Sequence, residues 1–378
     1  MRAYVFTDPT LTKRAGQFVW LSIDTEKAQN APFTKKYPIR AWPSMYVIDP
    51  VSEKIVLRWV GGATVAELGK LFDDGRRAVA RPAAPTESLA KADALFSEGK
   101  YEESIPPYRE AVKTLPKTSP SYARAVESLL YDLSTTHQPV ECATLARSTL
   151  PNVRGTTAGA AVAWQGLDCA LKLPPEAPDR ASLIAALEKE VRAALADPKL
   201  HLVADDRSAL YGSLQDAHED AHDVAGAERV AREWVADLDA AAAAAKTPEQ
   251  LTALDPNRLN AYEAAGQLEK AIPMLEKSEK DFPDDYNPPA RLALVYLKLK
   301  QYDKALQASD AAMAKVYGPR KLRVFAVRAD IYAAMGDGAA ARKTVQDSLA
   351  YAEALPPGQR SETAIASLKA QLGESGGK

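Results

Sequence analysis

Gly266, Lys300 and Gly336 stand 34 and 36 residues apart and keep the same company. Seven positions ahead of them come Leu259, Ala293 and Ala329, and four ahead come Tyr262, Tyr296 and Tyr332. Five positions after them come Ala271, Ala305 and Ala341. Near the start of the same region, Ala92, Leu95, Gly99, Tyr101, Ser104, Tyr108 and Ala111 repeat the pattern. Small residues at Ala293 and Ala305 let two antiparallel helices approach closely. The glycine between them reaches backbone angles that other residues resist, and Lys300 takes its place once. Tyr101 and Tyr302 fill the gap between successive pairs, and Pro116 and Pro283 stop the second helix. One pair cannot bury its apolar face alone, so the pairs must stack.

Helical periodicity runs from Thr86 onward with no competing strand pattern. Residues 86–373 read as stacked helix pairs, clearest over 86–117 and 252–350, and 374–378 as a tail. Between 120 and 250 the register loosens. Leu183, Ile184, Leu187, Val191 and Leu195 mark an amphipathic helix with Asp179 at its cap position. Residues 211–234 fit one degenerate pair, with Ala227 and Ala231 on the packing face, and the run Ala240–Ala245 favours helix. These features resemble tetratricopeptide repeats, whose period is about 34 residues. The resemblance implies a protein or peptide partner held on the concave face built by the first helix of each pair. In this register that face carries Asn260, Arg291, Lys298, Arg323 and Asp330. Asn260 and Arg323 also fit the clamp that some relatives use for a terminal carboxylate. Pro256, Arg291 and Val327 do not fit it, so that clamp is not expected.

The front of the chain alternates differently. A strand-like run, Phe18–Asp24, precedes a short helical stretch from about Asn30 to Tyr37. Then come Trp42-Pro43-Ser44, a run at Met45–Asp49, a second at Lys54–Val60, Gly61-Gly62, and an amphipathic helix from Thr64 to Phe72. This order resembles the back three-quarters of a thioredoxin fold. The resemblance implies a cis peptide bond at Trp42-Pro43 and a substrate-binding role for those two residues. It also implies a Cys-x-x-Cys, which residues 1–75 lack. The strand and dithiol would lie upstream of Met1. The expected architecture is therefore an incomplete α/β thioredoxin-like domain over 1–75, a Pro-containing linker over 76–85, and an all-α solenoid of tetratricopeptide type. The expected function is protein–protein interaction without a redox-active dithiol. The alternatives are a thiol–disulfide oxidoreductase whose Cys-x-x-Cys lies upstream, and a purely structural scaffold.

Other chemistry is sparse. Cys142 and Cys169 sit in helical patterns and read first as buried unpaired thiols, with a mutual disulfide left open. His218-Glu219-Asp220-Ala221-His222 matches H-E-x-x-H, but the repeat register puts His222 and Asp223 in a turn, so no metal or other cofactor is expected. His137 and His201 stand alone in loop-like contexts, and no Gly-rich phosphate loop occurs. Asp24 reads as a polar strand terminus or a helix cap. A net charge of −2 argues against nucleic acid. No apolar run approaches the roughly 18 residues of a membrane helix, and no signal peptide opens the sequence. The expectation is a cytoplasmic chain, or an extracytoplasmic one if a signal segment precedes Met1.

Overall fold

The computed structural model describes residues 4–39, 42–80 and 87–373. Arg40 and Ala41, the second half of the expected linker and the expected tail lie outside the described residues. The chain divides into two compact units, Met1–Gln17 with Ile39–Ala244, and Phe18–Pro38 with Ala245–Lys378. The front region is thus shared between them. Helix α1 (Ala31–Lys36) belongs to the second unit. Strands β1 (Ser44–Ile48) and β2 (Ile55–Val60) and helix α2 (Val65–Ala80) belong to the first.

In the first unit β1 and β2 pair antiparallel, Met45 facing Trp59 and Val47 facing Leu57. The Trp42-Pro43 bond is cis, as the resemblance implies. Thr64 and Glu67 open α2 with a reciprocal capping box: Thr64 N donates to Glu67 Oε2 at 2.8 Å, and Glu67 N to Thr64 Oγ1 at 3.2 Å. The helix continues through Ala80, well past Phe72, so the first half of the stretch read as linker is helical. Arg58 on β2 is buried, donates to the Phe96 carbonyl at 3.0 Å and lies over the Phe96 ring. That contact ties the hairpin to the helices that follow.

Those are α3 (Glu87–Ser97), α4 (Tyr101–Thr114), α5 (Pro120–Thr135), α6 (Pro139–Val153), α7 (Thr157–Leu171), α8 (Arg180–Ala196), α9 (Ala204–Asp220) and α10 (Val224–Ala244). The second unit adds α11 (Pro248–Thr252), α12 (Asp255–Ala264), α13 (Ala271–Asp281), α14 (Asn287–Lys298), α15 (Tyr302–Lys315), α16 (Lys321–Ala334), α17 (Gly338–Ala354) and α18 (Glu362–Gln371). None of the described helices is long and apolar enough to cross a membrane. Pairs such as α3–α4, α14–α15 and α16–α17 pack directly on one another.

One turn geometry recurs in both units. Gly99, His137 and His222 in the first, and Gly266, Lys300 and Gly336 in the second, all adopt positive φ between 53° and 81°. In every case the next residue's N–H bonds a carbonyl five positions back, at 2.7 to 3.0 Å, from Lys100 N to Leu95 O through Asp337 N to Tyr332 O. This closes the first helix with a left-handed residue. Five residues past five of these turns stand Ser104, Cys142, Ala227, Ala271 and Ala305, all buried. The His137 turn is a helix pair that the glycine pattern does not reveal.

Several expectations change. Phe18–Asp24 is not a strand: residues 18–24 carry no strand in the structure, and the described sheet has only β1 and β2. An apolar run can enter a sheet, but a strand also needs a ladder partner. The described residues therefore show a two-stranded hairpin rather than a thioredoxin-like domain. Cys142 and Cys169 are not free thiols. They are disulfide-bonded between α6 and α7, both fully buried, with Cα atoms 5.9 Å apart. Cys142 fills the small-residue position of its pair, which brings it against the next helix. Asp179 occupies the N-cap position of α8, but its side chain makes no capping hydrogen bond.

Candidate partner-binding surface

The five side chains expected on the partner face fall on the first helices of three consecutive pairs. Asn260 is on α12, Arg291 and Lys298 on α14, and Arg323 and Asp330 on α16. Helix periodicity explains the spacing: Arg291 and Lys298 are seven residues apart, two turns along one face. Asn260, Lys298, Arg323 and Asp330 are exposed. Lys298 pairs with Glu263, joining α14 to α12. Among the described hydrogen bonds and ion pairs, none involves Asn260, Arg323 or Asp330. They are the uncommitted polar groups of this face.

Arg291 is different. It is partly buried, and burial pulls its guanidinium below its ordinary value against the attraction of Asp255 and Asp285. Asp255, at the start of α12, has no exposed surface, and neither carboxylate oxygen reaches a hydrogen-bond partner. The nearby Ser278 hydroxyl is shared with Thr252 at 3.1 Å. Burial pushes the Asp255 carboxyl up to about 6, with Ser278, Arg291 and Arg258 drawing it back. Arg258 lies over the Tyr262 ring and donates to its hydroxyl at 2.7 Å, fixing both side chains. Sequence reasoning missed Asp255, because an Asp followed by Pro at a helix start reads as an ordinary N-terminal signal.

Trp42 and Pro43 precede β1 in the first unit. The Trp42 side chain is 54% exposed, and the Pro43 carbonyl accepts from Gly61 N at 2.9 Å, closing the open end of the hairpin. The disulfide-bonded cysteines lie far along the chain, on α6 and α7. Asp24 lies in the second unit. There it accepts from Glu26 N at 3.0 Å, closing a turn rather than capping a helix, and from the Tyr317 hydroxyl at 2.7 Å.

The H-E-x-x-H motif is divided as its register implies. His218 is on α9, and its Nδ1 lies 2.9 Å from Asp223 while Arg192 donates to its Nε2 at 2.8 Å. His222 is exposed in the turn, with φ of 53°. Its ring cannot share a helical face with His218, because α9 has already ended. Among the described residues, no cluster of His, Cys, Asp and Glu has a metal-holding arrangement.

A carboxylate cluster in the first unit was also missed. One Glu67 oxygen serves the capping box, and the other accepts from the Thr157 hydroxyl at the start of α7. Near it stand Glu127 on α5 and Asp206 on α9. Burial, then repulsion from Asp206 and Glu67, pushes Glu127 to about 8, and burial, then repulsion from Glu67, pushes Asp206 to about 7. These acids come from three separate helices and from residues far apart in sequence, so no local spacing marks them.

No curated protein matches the chain. Among solved structures, the Assembly Chaperone of RpL4 (Acl4), residues 1–338, aligns with 77% of this chain and 97% of its own. The identity is 12% and the TM-score 0.33, an overlap too loose to bear on function. Residues 262–320, from α12 to the turn before α16, match the tetratricopeptide repeat.

Proposed function

We propose that this chain is a protein-interaction protein, and that the first-helix face of its second unit takes a protein or peptide partner. The observation that carries this reading is the tetratricopeptide match over 262–320, coinciding with exposed, uncommitted polar side chains on α12 and α16. Polar groups held on rigid helices lose little entropy on binding, which is how repeat arrays use such faces. Lys298→Glu and Arg323→Glu should each reduce recovery of a cross-linked partner at least tenfold. Lys172→Glu, an exposed change at the end of α7, should leave it intact. Equal recovery from all three variants would refute this assignment.

A second reading is thiol–disulfide exchange by a thioredoxin-like protein whose Cys-x-x-Cys lies upstream of Met1. The order of β1, β2 and α2 after Trp42-Pro43 supports it. The 378-residue chain should not reduce insulin, because exchange needs an accessible thiolate and both its cysteines are buried in a disulfide. A form extended upstream that does reduce insulin would favour this second reading. Turnover by the 378-residue chain itself would contradict both.

A further inference from the structure

We propose that the inter-repeat edge of the second unit is a recognition site for a turn that carries an Asp-x-Glu pair, filled in this chain by its own residues 24–35. This edge is distinct from the first-helix face described above. It is formed by the turn at Gly318–Arg320, between α15 and α16, and the loop at Gly358–Gln359, between α17 and α18.

The acidic pair Asp24 and Glu26 is gripped by three donors from the first turn. The Tyr317 hydroxyl reaches Asp24 at 2.7 Å, a bond that pushes the tyrosine up to about 12. Arg320 holds Glu26 twice, from its backbone N–H at 3.0 Å and from Nε at 3.2 Å. The backbone contact lies at the N-terminal end of α16, where the helix dipole favours a carboxylate. Between the acids, the Thr25 carbonyl accepts from Gln359 Nε2 at 2.8 Å. Farther along, the Thr34 hydroxyl is shared between the Ala31 carbonyl at 3.0 Å and the Gly358 carbonyl at 3.2 Å.

The receiving loops are shaped for a backbone. Gly318 has φ of 63°, and a Cβ there would lie 2.3 Å from the Glu26 carbonyl oxygen. Gly358 has φ of 96°, and a Cβ there would lie 2.6 Å from the Ala31 carbonyl oxygen. Two glycines in two successive loops thus leave room for one segment to pass. Tyr351 supports the first loop by donating to the Gly318 carbonyl at 3.3 Å. Donors for two carboxylates, a side-chain amide for the carbonyl between them, and two loops cleared for close backbone approach amount to recognition of an Asp-x-Glu turn. The segment also buries Ala31 and Thr34, and with these contacts the chain's own residues guard the edge against others.

Full-length chains test this. Glu26→Lys should release the segment and raise hydrogen exchange over residues 24–36 at least tenfold, leaving α14 and α15 protected. A fluorescent peptide of residues 20–37 should then bind the Glu26→Lys chain saturably and the wild type at least tenfold more weakly, because the wild-type edge is already filled. Arg320→Gln should also release the segment, but from the receiving side. Its affinity for the peptide should therefore be at least tenfold below that of Glu26→Lys. Adding Gly318→Val to Glu26→Lys should abolish peptide binding. Unchanged exchange in both single variants, or peptide binding that ignores Arg320 and Gly318, would overturn the proposal.

Discussion

The left-handed turns offer a measurable account of what the repeat costs where glycine is missing. Lys300, His137 and His222 hold φ of 58°, 58° and 53°, in the same turn that Gly99, Gly266 and Gly336 make elsewhere. A residue with a Cβ pays about 1–2 kcal/mol for that conformation. Glycine would give back about 0.5–1 kcal/mol through its extra freedom in the unfolded chain. Lys300→Gly should therefore stabilise the second unit by roughly 0.5–1 kcal/mol. The reverse changes are clean controls. A Cβ at Gly266 or Gly336 would meet no atom within 4 Å, so Gly266→Ala and Gly336→Ala test backbone conformation alone. Each should destabilise by a similar amount. Lys300→Ala should be neutral, since it keeps the Cβ, and Lys300→Asn should fall between, because Asn tolerates this region. Urea denaturation of the full chain followed by circular dichroism would read these differences. If Lys300→Gly is neutral while Gly336→Ala is costly, the turn at Lys300 is not held in the left-handed form and the reasoning fails.

Other expectations follow from single contacts. Replacing both Cys142 and Cys169 by alanine should lower the first unit's stability by about 3.5 kcal/mol, the chain-entropy value for a 27-residue closure, measurable as a fall in urea midpoint. Glu127→Gln should stabilise the first unit near pH 7 and have little effect near pH 4. The folded carboxyl binds its proton up to about 8, while the unfolded one releases it near 4.5, so stability falls as pH rises between those values by at most about 1.4 kcal/mol per unit. A denaturation series across pH that shows no such convergence at low pH would refute this. His218→Ala should cost about 1–2 kcal/mol by removing the partner of Arg192 and Asp223, whereas His222→Ala should be nearly neutral. Neither should alter zinc content, read by elemental analysis.

Much of the helical architecture was legible because it repeats a local arrangement. Gly99, Gly266, Lys300 and Gly336 mark turns, and the small residue five positions later marks close helix contact. The His137 turn escaped notice although Leu133, Cys142 and the buried Thr149 stand at the right offsets. Its signal lies in those offsets, not in the turn residue, and Pro139 replaces the tyrosine that stands after Gly99 and Lys300. The placement of Asn260, Lys298 and Arg323 on first helices was legible for the same reason, since helical register alone gives it. Asp255 was not, because burial depends on what packs over the residue rather than on its neighbours in sequence.

The front of the chain shows the opposite limit. The hairpin and α2 are local, and their residues announce them. The run Phe18–Asp24 has a strand's apolar composition, yet the turn that follows it is held by groups about 300 positions away: 293 residues separate Asp24 from Tyr317, 294 separate Glu26 from Arg320, and 334 separate Thr25 from Gln359. Loop closure over such a span costs only logarithmically more than over a short one, so distance in sequence does not forbid the contact. It only removes it from any windowed reading. What remained visible was an Asp-Thr-Glu after an apolar run and, far downstream, glycines in two inter-repeat loops. Each has an ordinary local explanation as a cap or a turn. Their joint meaning appears only when the close approach of Gly318 to Glu26 and of Gly358 to Ala31 shows that both loops are cleared for the same stretch of backbone.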